Sequence, residues 1–193
     1  GQAEEAVKTN VFGTYNLAHQ AVRAGVGKFV LISSSQAVQP TSVIGATRRI
    51  AELVVQNLSR RFPDTLFAAV RLGTVLGTPD GLDARLQRQI EKDKRVVLHD
   101  AEQQRYLMTL SESVSLIIQA GALAEGGEVF VLDTGRPTRL LDLVQDMDMV
   151  RLQGLQTGRD VTIESQATAQ TPTAPAIERL HLDYEVLRPT AHQ

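Results

Sequence analysis

The sequence predicts an α/β chain whose strands run parallel in one sheet, and three apolar runs carry that prediction. KFVLIS (28–33), TLFAAVRL (65–72) and EVFVLD (128–133) are short and show little alternation. That is the mark of strands buried on both faces, as parallel strands are. Between them lie segments in which apolar residues recur with the 3.6-residue period of a helix. Helices that alternate with doubly buried strands give a parallel sheet with helices packed on it.

The chain enters helical periodicity at once. Val7, Val11, Thr14, Leu17, Ala18, Ala21 and Val22 predict a helix over roughly 3–24. Gly25 ends it, with Gly27 close behind, because glycine suits a left-handed C-cap. KFVLIS is followed by the polar loop SSSQAVQPTS, then by a helix from about 43 to 61 whose face is Ile50, Leu53, Val54, Asn57 and Leu58. The strand at 65–72 leads into a glycine-containing loop, GTVLGTPDG (73–81). Leu82, Leu86 and Ile90 mark a third helix that closes in EKDKR, and VVLH (96–99) is a short strand. A helix over 111–124 carries Val114, Ile117, Ile118 and Ala122, with Thr109 as its N-cap candidate. After the strand at 128–133, Leu140, Leu141, Leu143 and Val144 open a helix that runs to about 152, and VTIES (161–165) is the last strand. From 165 the run SQATAQTPTAPA is polar and Pro-containing, the composition of a linker. The final IERLHLDYEVLRPTAHQ gives no element, and there is no internal repeat. The chain thus divides into 1–81 with the strand-end loops, 82–164 with the remaining sheet elements, and a linker and tail at 165–193.

Composition narrows the function classes. The chain has 193 residues, 42% apolar and 22% charged, which excludes disorder throughout. A formal charge of −2 is too balanced for a nucleic-acid or membrane-surface binder. Without cysteine there is no disulfide, thiolate nucleophile or cysteine-ligated metal. No apolar run reaches the roughly 18 residues that a membrane helix needs. The chain reads as soluble and of intracellular type. It opens GQAEEAVKTN, with neither an initiator Met nor a signal-peptide pattern, and natural N-termini usually fray before the first element. The expectation is a C-terminal portion of a longer protein.

In a parallel sheet the chemistry sits in loops at the carboxyl ends of strands, here Ser33 to Ser42 and Gly73 to Gly81. Ser33, Ser34 and Ser35 offer hydroxyls to a substrate oxygen or phosphate, or simply cap the next helix. No His or acid stands at a local spacing that would activate a serine. His19, His99, His181 and His192 are scattered and form no i, i+4 pair, so no metal site is expected. Arg48 and Arg49 start a helix, where cations oppose the macrodipole; a phosphate-facing pair and a solvated pair both fit. Arg71, inside an apolar strand, calls for an acid or anion as partner. Arg105, in EQQRYLMT, is a candidate for a nucleotide phosphate. A glycine-rich turn between strand and helix is missing: Gly25-Val26-Gly27 precedes a strand, and Gly126-Gly127 joins a helix to a strand. The chain has no dinucleotide fingerprint.

A series of blocks nevertheless carries a family signature. EAVKTNVFGTYNLAHQAVRAGVGKFVLISS, AVQPTSVIGATRRIAE, VRLGTVLG, RQIEK, RYLMT, QAGALAEGGEVFVLDTG and PTRLLDL follow one another over residues 1 to about 155, with PTAH near the end. In this order they resemble the nucleotide-sugar 4,6-dehydratase/epimerase family of capsular and O-antigen polysaccharide biosynthesis, of the extended short-chain dehydrogenase/reductases. The resemblance implies a Rossmann-type sheet that lacks its N-terminal dinucleotide-binding strands and carries a small C-terminal substrate-binding portion. Family members begin well before this chain's first residue, with a glycine-rich NAD(P) strand–turn–helix. It also implies chemistry on a UDP-linked N-acetylhexosamine: oxidation at C4 by hydride transfer to NAD or NADP, loss of water across C5–C6, and return of the hydride at C6. A base helped by a lysine, and an Asp–Lys pair, would do the proton work.

The departures fall in the chemical loops. Where the family reads Ser-Thr-Asp-Lys-Ala, this chain has Ser33-Ser34-Ser35-Gln36-Ala37. In the Tyr(or Met)-Gly-Ala-Thr-Lys block the first residue is Ile44 and the lysine is Arg48, which keeps the charge but is no tunable base. The Asn that usually follows Gly73 is Thr74, and the Leu-Arg-Pro-Gly-Glu-Lys block appears as the polar run from Gln166. Carried over by position, the catalytic residues are Ser34, Ser35, Gln36, Ile44 and Arg48, mostly substituted. Ser33 and Arg48 would face the cofactor, and Arg71, Thr74 and Arg105 the substrate, while Asn10 keeps a framework position. The expectation is an impaired enzyme, or a pseudoenzyme that binds a sugar nucleotide or supports an active homologue. It is expected to be cytoplasmic, as a homo-oligomer or with that homologue, itself without membrane contact or nucleic acid, and possibly the soluble part of a membrane-anchored protein.

Overall fold

The structure is a computed structural model that describes residues 1–93, 95–98, 102–132, 135–152, 162–165 and 184–187. In chain order its elements are α1 (Gln2–Ala6), a π-helical stretch (Val7–Gly13), α2 (Thr14–Arg23), β1 (Lys28–Ser34), a 3₁₀ turn (Ser35–Ala37), α3 (Val43–Arg61), β2 (Leu66–Leu72), β3 (Thr74–Leu76) and α4 (Leu82–Asp93). There follow β4 (Arg95–Leu98), β5 (Gln104–Arg105), β6 (Leu107–Thr109), α5 (Leu110–Leu123), β7 (Val129–Leu132), β8 (Thr138–Arg139), α6 (Leu140–Leu152), β9 (Thr162–Ser165) and β10 (Tyr184–Leu187). They fall into two compact units, Gly1–Gly73 with Ser111–Asp133 and Ala176–Gln193, and Thr74–Leu110 with Thr134–Pro175. The units interleave along the chain, whereas the sequence reading divides it at residues 81 and 164.

The first unit holds a four-stranded parallel sheet in the order β1-β2-β7-β10. Of β2, the residues Phe67, Ala68, Ala69 and Val70 are fully buried, as its unalternating apolar sequence requires. On one face α2 and α3 enclose Ala18, Val55, Leu58 and Phe67, with Val22, Phe29, Leu31, Val54 and Phe62 packed around them. The Phe29 and Phe67 rings lie 5.4 Å apart, tilted by 49°. Each large side chain buried there stabilises the fold by about 1.5–3 kcal/mol. Val30, the residue between Phe29 and Leu31, packs instead toward Gly121 of α5, so α5 lies on the opposite face. Lys28 Nζ donates to the Gly121 and Ala122 carbonyls at 2.8 and 3.0 Å, closing the C-terminus of α5 with a cation.

Local chemistry explains the helix ends. Gly25 has φ +68°, and Val26 N–H donates to Ala21 O while Gly25 N–H donates to Val22 O, a complete Schellman cap for α2. Ser42 Oγ accepts from Gly45 N–H at 3.0 Å to start α3. Its end at Arg61 falls before Pro63, whose ring disfavours a helical preceding residue. The first predicted helix differs: it is interrupted by the π-helical stretch Val7–Gly13.

In the second unit, α4 and α6 pack on β4 through Leu86, Ile90, Val96, Leu98, Leu140 and Val144. Its strands pair two by two, β3 with β6 and β4 with β9 in parallel, β5 with β8 antiparallel. β3 lies in what reads from sequence as a loop, and β4 starts one residue before the expected run; His99 is outside the described residues. β10 arises in the final segment, where sequence gives no element. The linker expected from 165, like His181 and His192, lies outside the described residues apart from Ser165.

Candidate functional site

β1 and β2 run side by side in register, Ser33 opposite Arg71 and Ser34 opposite Leu72. Their carboxyl ends therefore bring the first serine of the loop next to the strand arginine. Between them, from α3, comes Glu52, fully buried. Arg71 Nε and Nη2 donate to Glu52 Oε1 and Oε2 at 2.8 and 2.7 Å. Arg49 Nη1 donates to Oε2 at 2.9 Å, and Ser33 Oγ to Oε1 at 2.7 Å. Burial raises the Glu52 carboxyl, but the hydrogen bonds from Arg71 and Ser33, the Arg71 charge and the Arg49 hydrogen bond outweigh it. The net result lies below the ordinary value. Two guanidiniums against one carboxylate leave the sheet end with a net charge of +1, a field that favours anions.

This cluster fixes what its members can do. Arg71 has its acid, and the Ser33 hydroxyl donates its hydrogen bond to that carboxylate, so both are accounted for within the protein. Ser34 Oγ accepts from Gln36 N–H at 3.3 Å and caps the short turn Ser35–Ala37. Ser35, Gln36 and Ile44 are exposed. The turn sits hard against the start of α3: a Cβ on Gly45 would stand 2.5 Å from the Gln36 carbonyl oxygen. Only glycine fits there. Gln39 takes up the strain of the loop with φ +42°, a conformation that costs a non-glycine residue about 1–2 kcal/mol.

The π-helical stretch also reaches this corner. Asn10 Nδ2 donates to Thr47 Oγ1 at 3.0 Å, and Thr47 Oγ1 donates to Ile44 O at 2.9 Å. Thr47 is buried. The next residue, Arg48, has a buried Nε that finds no hydrogen-bond acceptor. An orphaned buried donor fits a hydroxyl or phosphate oxygen of a nicotinamide cofactor, whereas Ser33, already bonded to Glu52, offers it no free hydroxyl.

Thr74 and Arg105 belong to the second unit. Thr74 opens β3, and its N–H donates to Tyr106 O at 2.7 Å. Arg105 Nη2 donates to Gln103 Oε1 at 3.0 Å. Burial and the neighbouring Arg85 charge lower the Arg105 guanidinium from its ordinary value, though it stays charged at neutral pH. Among the described residues no group of His, Asp and Glu is placed to hold a metal ion.

Glu52 is the residue that sequence reasoning missed. The signal was there: an acid within the stripe Ala51, Val55 and Leu58, on the buried side of an otherwise amphipathic helix, where an unpaired carboxylate is not tolerated.

Residues 2–193 match the family described as polysaccharide biosynthesis protein. The capsular polysaccharide biosynthesis protein CapD of Staphylococcus aureus is 45% identical over 160 residues, 83% of this chain and 26% of CapD. Pen from Bacillus thuringiensis superposes with a TM-score of 0.77 at 32% identity, over 85% of this chain and 50% of Pen. The structure described as the NAD-dependent NDP-hexosamine 5,6-dehydratase TunA shares the fold, with a TM-score of 0.71 at 19% identity, over 86% of this chain and 59% of TunA. This chain belongs to the polysaccharide biosynthesis protein family, related to the nucleotide-sugar dehydratases and epimerases, and has the Rossmann-type extended short-chain dehydrogenase/reductase fold. It spans about a quarter of the length of the capsular relative.

Proposed function

We propose that this chain binds a UDP-N-acetylhexosamine in surface-polysaccharide synthesis but does not itself carry out the 4,6-dehydration. One observation carries the reading: the loop from Ser33 to Ser42 holds no side chain that titrates near neutral pH, and the carboxylate beside it, Glu52, is held by two arginines. Elimination across C5–C6 needs a base for the C5 proton and an acid for the departing hydroxyl. Ser35 and Gln36 occupy the positions that supply them in the resembled family, and neither exchanges a proton there. Each missing member of such a pair removes about 10²–10⁴ in rate.

The residues that remain bind rather than react. Within the first unit, Ser34 offers a hydroxyl to the sugar. Arg71 acts indirectly, by holding Glu52. A nicotinamide cofactor, when bound, supplies the hydride acceptor, and Arg48 would hold it through its free donor. In this reading the chain works alongside an active homologue or a second copy, and the apolar Ile50 and Leu53 exposed on α3 give such a partner a surface. No helix among the described residues is long and apolar enough to cross a membrane.

The test is thermal unfolding of the purified chain against UDP-N-acetylglucosamine, with and without NAD⁺ or NADP⁺, beside an assay for the 4-keto product. Sugar nucleotide at 100 times its Kd stabilises the fold by about 2.7 kcal/mol, and no product is expected. Product formation overturns the non-catalytic part of the reading, and a saturating titration without a shift overturns the binding part.

A further inference from the structure

Two guanidiniums meet in the second unit with no acid to separate them. β3 pairs with β6, and Thr74 N–H donates to Tyr106 O at 2.7 Å. Arg105, the residue before Tyr106, therefore lies at the start of β3. At the other end of that strand, Gly77 N–H donates to Asp83 Oδ2 at 2.7 Å, which draws the opening of α4 back onto β3. Arg85 is the fourth residue of α4. A strand of three residues spans only about 10 Å, within the joint reach of two arginine side chains. The Arg85 charge is in fact felt at Arg105, whose guanidinium it lowers from the ordinary value.

Neither arginine is compensated. Arg105 is half-buried, and its hydrogen bond goes to the neutral amide of Gln103, at 3.0 Å. Arg85 is exposed, and among the described residues neither takes part in an ion pair. Asp83, two residues from Arg85, does not serve it: one carboxylate oxygen takes Gly77 N–H, and the other is buried without a partner. Arg88 on the same helix shows the ordinary arrangement, donating to Pro79 O at 3.1 Å and lying 4.0 Å from Asp80. A cation is also disfavoured near a helix N-terminus, where Arg85 stands. Like charges side by side, one of them half-buried, raise the energy of the fold unless an anion completes them.

We infer that Arg85 and Arg105 are two halves of one anion site in the second unit, and that Arg85 fits it to a diphosphate rather than to a single phosphate. Two forks of N–H donors match two phosphoryl groups, and guanidinium binds such oxygens through paired hydrogen bonds. Arg105 is a phosphate candidate by its sequence; Arg85 is not, and only the fold brings it there. The identity of the ligand, the diphosphate of a UDP-linked sugar, rests on the proposed function, whereas the site itself does not.

The test is titration calorimetry of the full chain with UDP, UMP, inorganic pyrophosphate and UDP-N-acetylglucosamine. Arg85→Gln is expected to weaken UDP and pyrophosphate about tenfold or more, and UMP, which one guanidinium satisfies, much less. Arg88→Gln, on the same helix but already paired, is expected to change none of them. With the repulsion gone, ligand-free Arg85→Gln keeps or raises the Tm, whereas a purely structural role would lower it. Arg85→Lys keeps the charge but loses the fork, so its affinities fall between, and it carries the test if Arg85→Gln does not fold. Equal affinity for UDP and pyrophosphate in the chain and in folded Arg85→Gln overturns the inference, as does a folded chain that binds neither. Sulfate that competes as strongly as pyrophosphate overturns it in favour of a general attraction for anions. Binding of UDP-N-acetylglucosamine that ignores Arg85→Gln overturns it and leaves the proposed function standing. Pyrophosphate binding that depends on Arg85, without binding of UDP-N-acetylglucosamine, supports the site and overturns the proposed function instead.

Discussion

A carboxylate without solvent is stable at Glu52 because four hydrogen bonds, three of them from guanidiniums, replace its hydration. Removing one partner of such a buried pair leaves the other charged and unpaired, which costs about 3–5 kcal/mol. Glu52→Ala is therefore expected to lower the Tm on the order of 10 °C, read by calorimetry or circular dichroism. The pH dependence follows from the direction of its shift. The folded carboxyl lies below its ordinary value of 4.5, so the unfolded chain takes up the proton first as pH falls. The stabilisation is whole above that ordinary value and is lost as pH drops through the folded one. Glu52→Gln should be less stable at pH 7 and show a shallower acid limb below about pH 4.5; an unchanged acid limb would mean that other carboxylates set it. At Gln39 the sign is opposite. Glycine removes the cost of φ +42°, so Gln39→Gly should stabilise by about 1 kcal/mol in a urea melt, and Gln39→Val should destabilise. Sequence could state that Arg71 needs an acid, since a charge in an apolar strand must be compensated. It could not say which acid, because the partner is 19 residues away and is chosen by the packing of α3 on the sheet.

Elements were legible in proportion to their length and to the regularity of their pattern. α3 stands at residues 43 to 61 as its period predicts, but it is turned from the expected face: Ala51, Val55 and Leu58 are buried, while Ile50, Leu53 and Asn57 are exposed; Gly25 ends α2 as a left-handed residue. The cap is testable: Ser42→Ala removes the acceptor of Gly45 N–H and should cost about 1 kcal/mol, whereas Thr41→Ala, one residue outside the cap, should be near neutral in the same melt. β3 has three residues and β5 and β8 two each, too few to show any period, which needs about four. They exist because partners elsewhere in the chain take their backbone groups, a tertiary fact. The π-helical stretch was hidden for another reason. A helix with one wider turn keeps nearly the same apolar face, so its sequence still reads as helical, and the widening is visible only where Asn10 reaches Thr47. Widened turns of this kind occur often near functional sites, and this one braces the helix that carries Arg48 and Glu52.

At the scale of the whole molecule, the proposed function separates the scaffold from the chemistry. What the fold requires is present: doubly buried strands, the glycine at the Gln36 contact, the Glu52 cluster. The loop from Ser33 to Ser42 that this scaffold presents carries no titratable side chain. The two are physically independent, because Ser35 and Gln36 are exposed side chains on a turn whose shape is set by Ser34 and Gly45. Replacing them should leave the fold intact, and the candidate chemistry can be restored without rebuilding the site. Ser35→Asp, Gln36→Lys and Arg48→Lys together, in a fusion that sets a transplanted glycine-rich dinucleotide-binding segment ahead of Gly1, should fold as well as the unsubstituted fusion. The acid–base pair then contributes about 10²–10⁴ per member, so the triple variant should convert UDP-N-acetylglucosamine to its 4-keto product with NAD⁺, and the unsubstituted fusion should not. Turnover in the triple variant alone assigns the proposed lack of turnover to those three positions. A triple variant that folds and binds the sugar nucleotide, yet gives no product, assigns it elsewhere, and a supporting role beside an active homologue becomes the better account of why the scaffold persists.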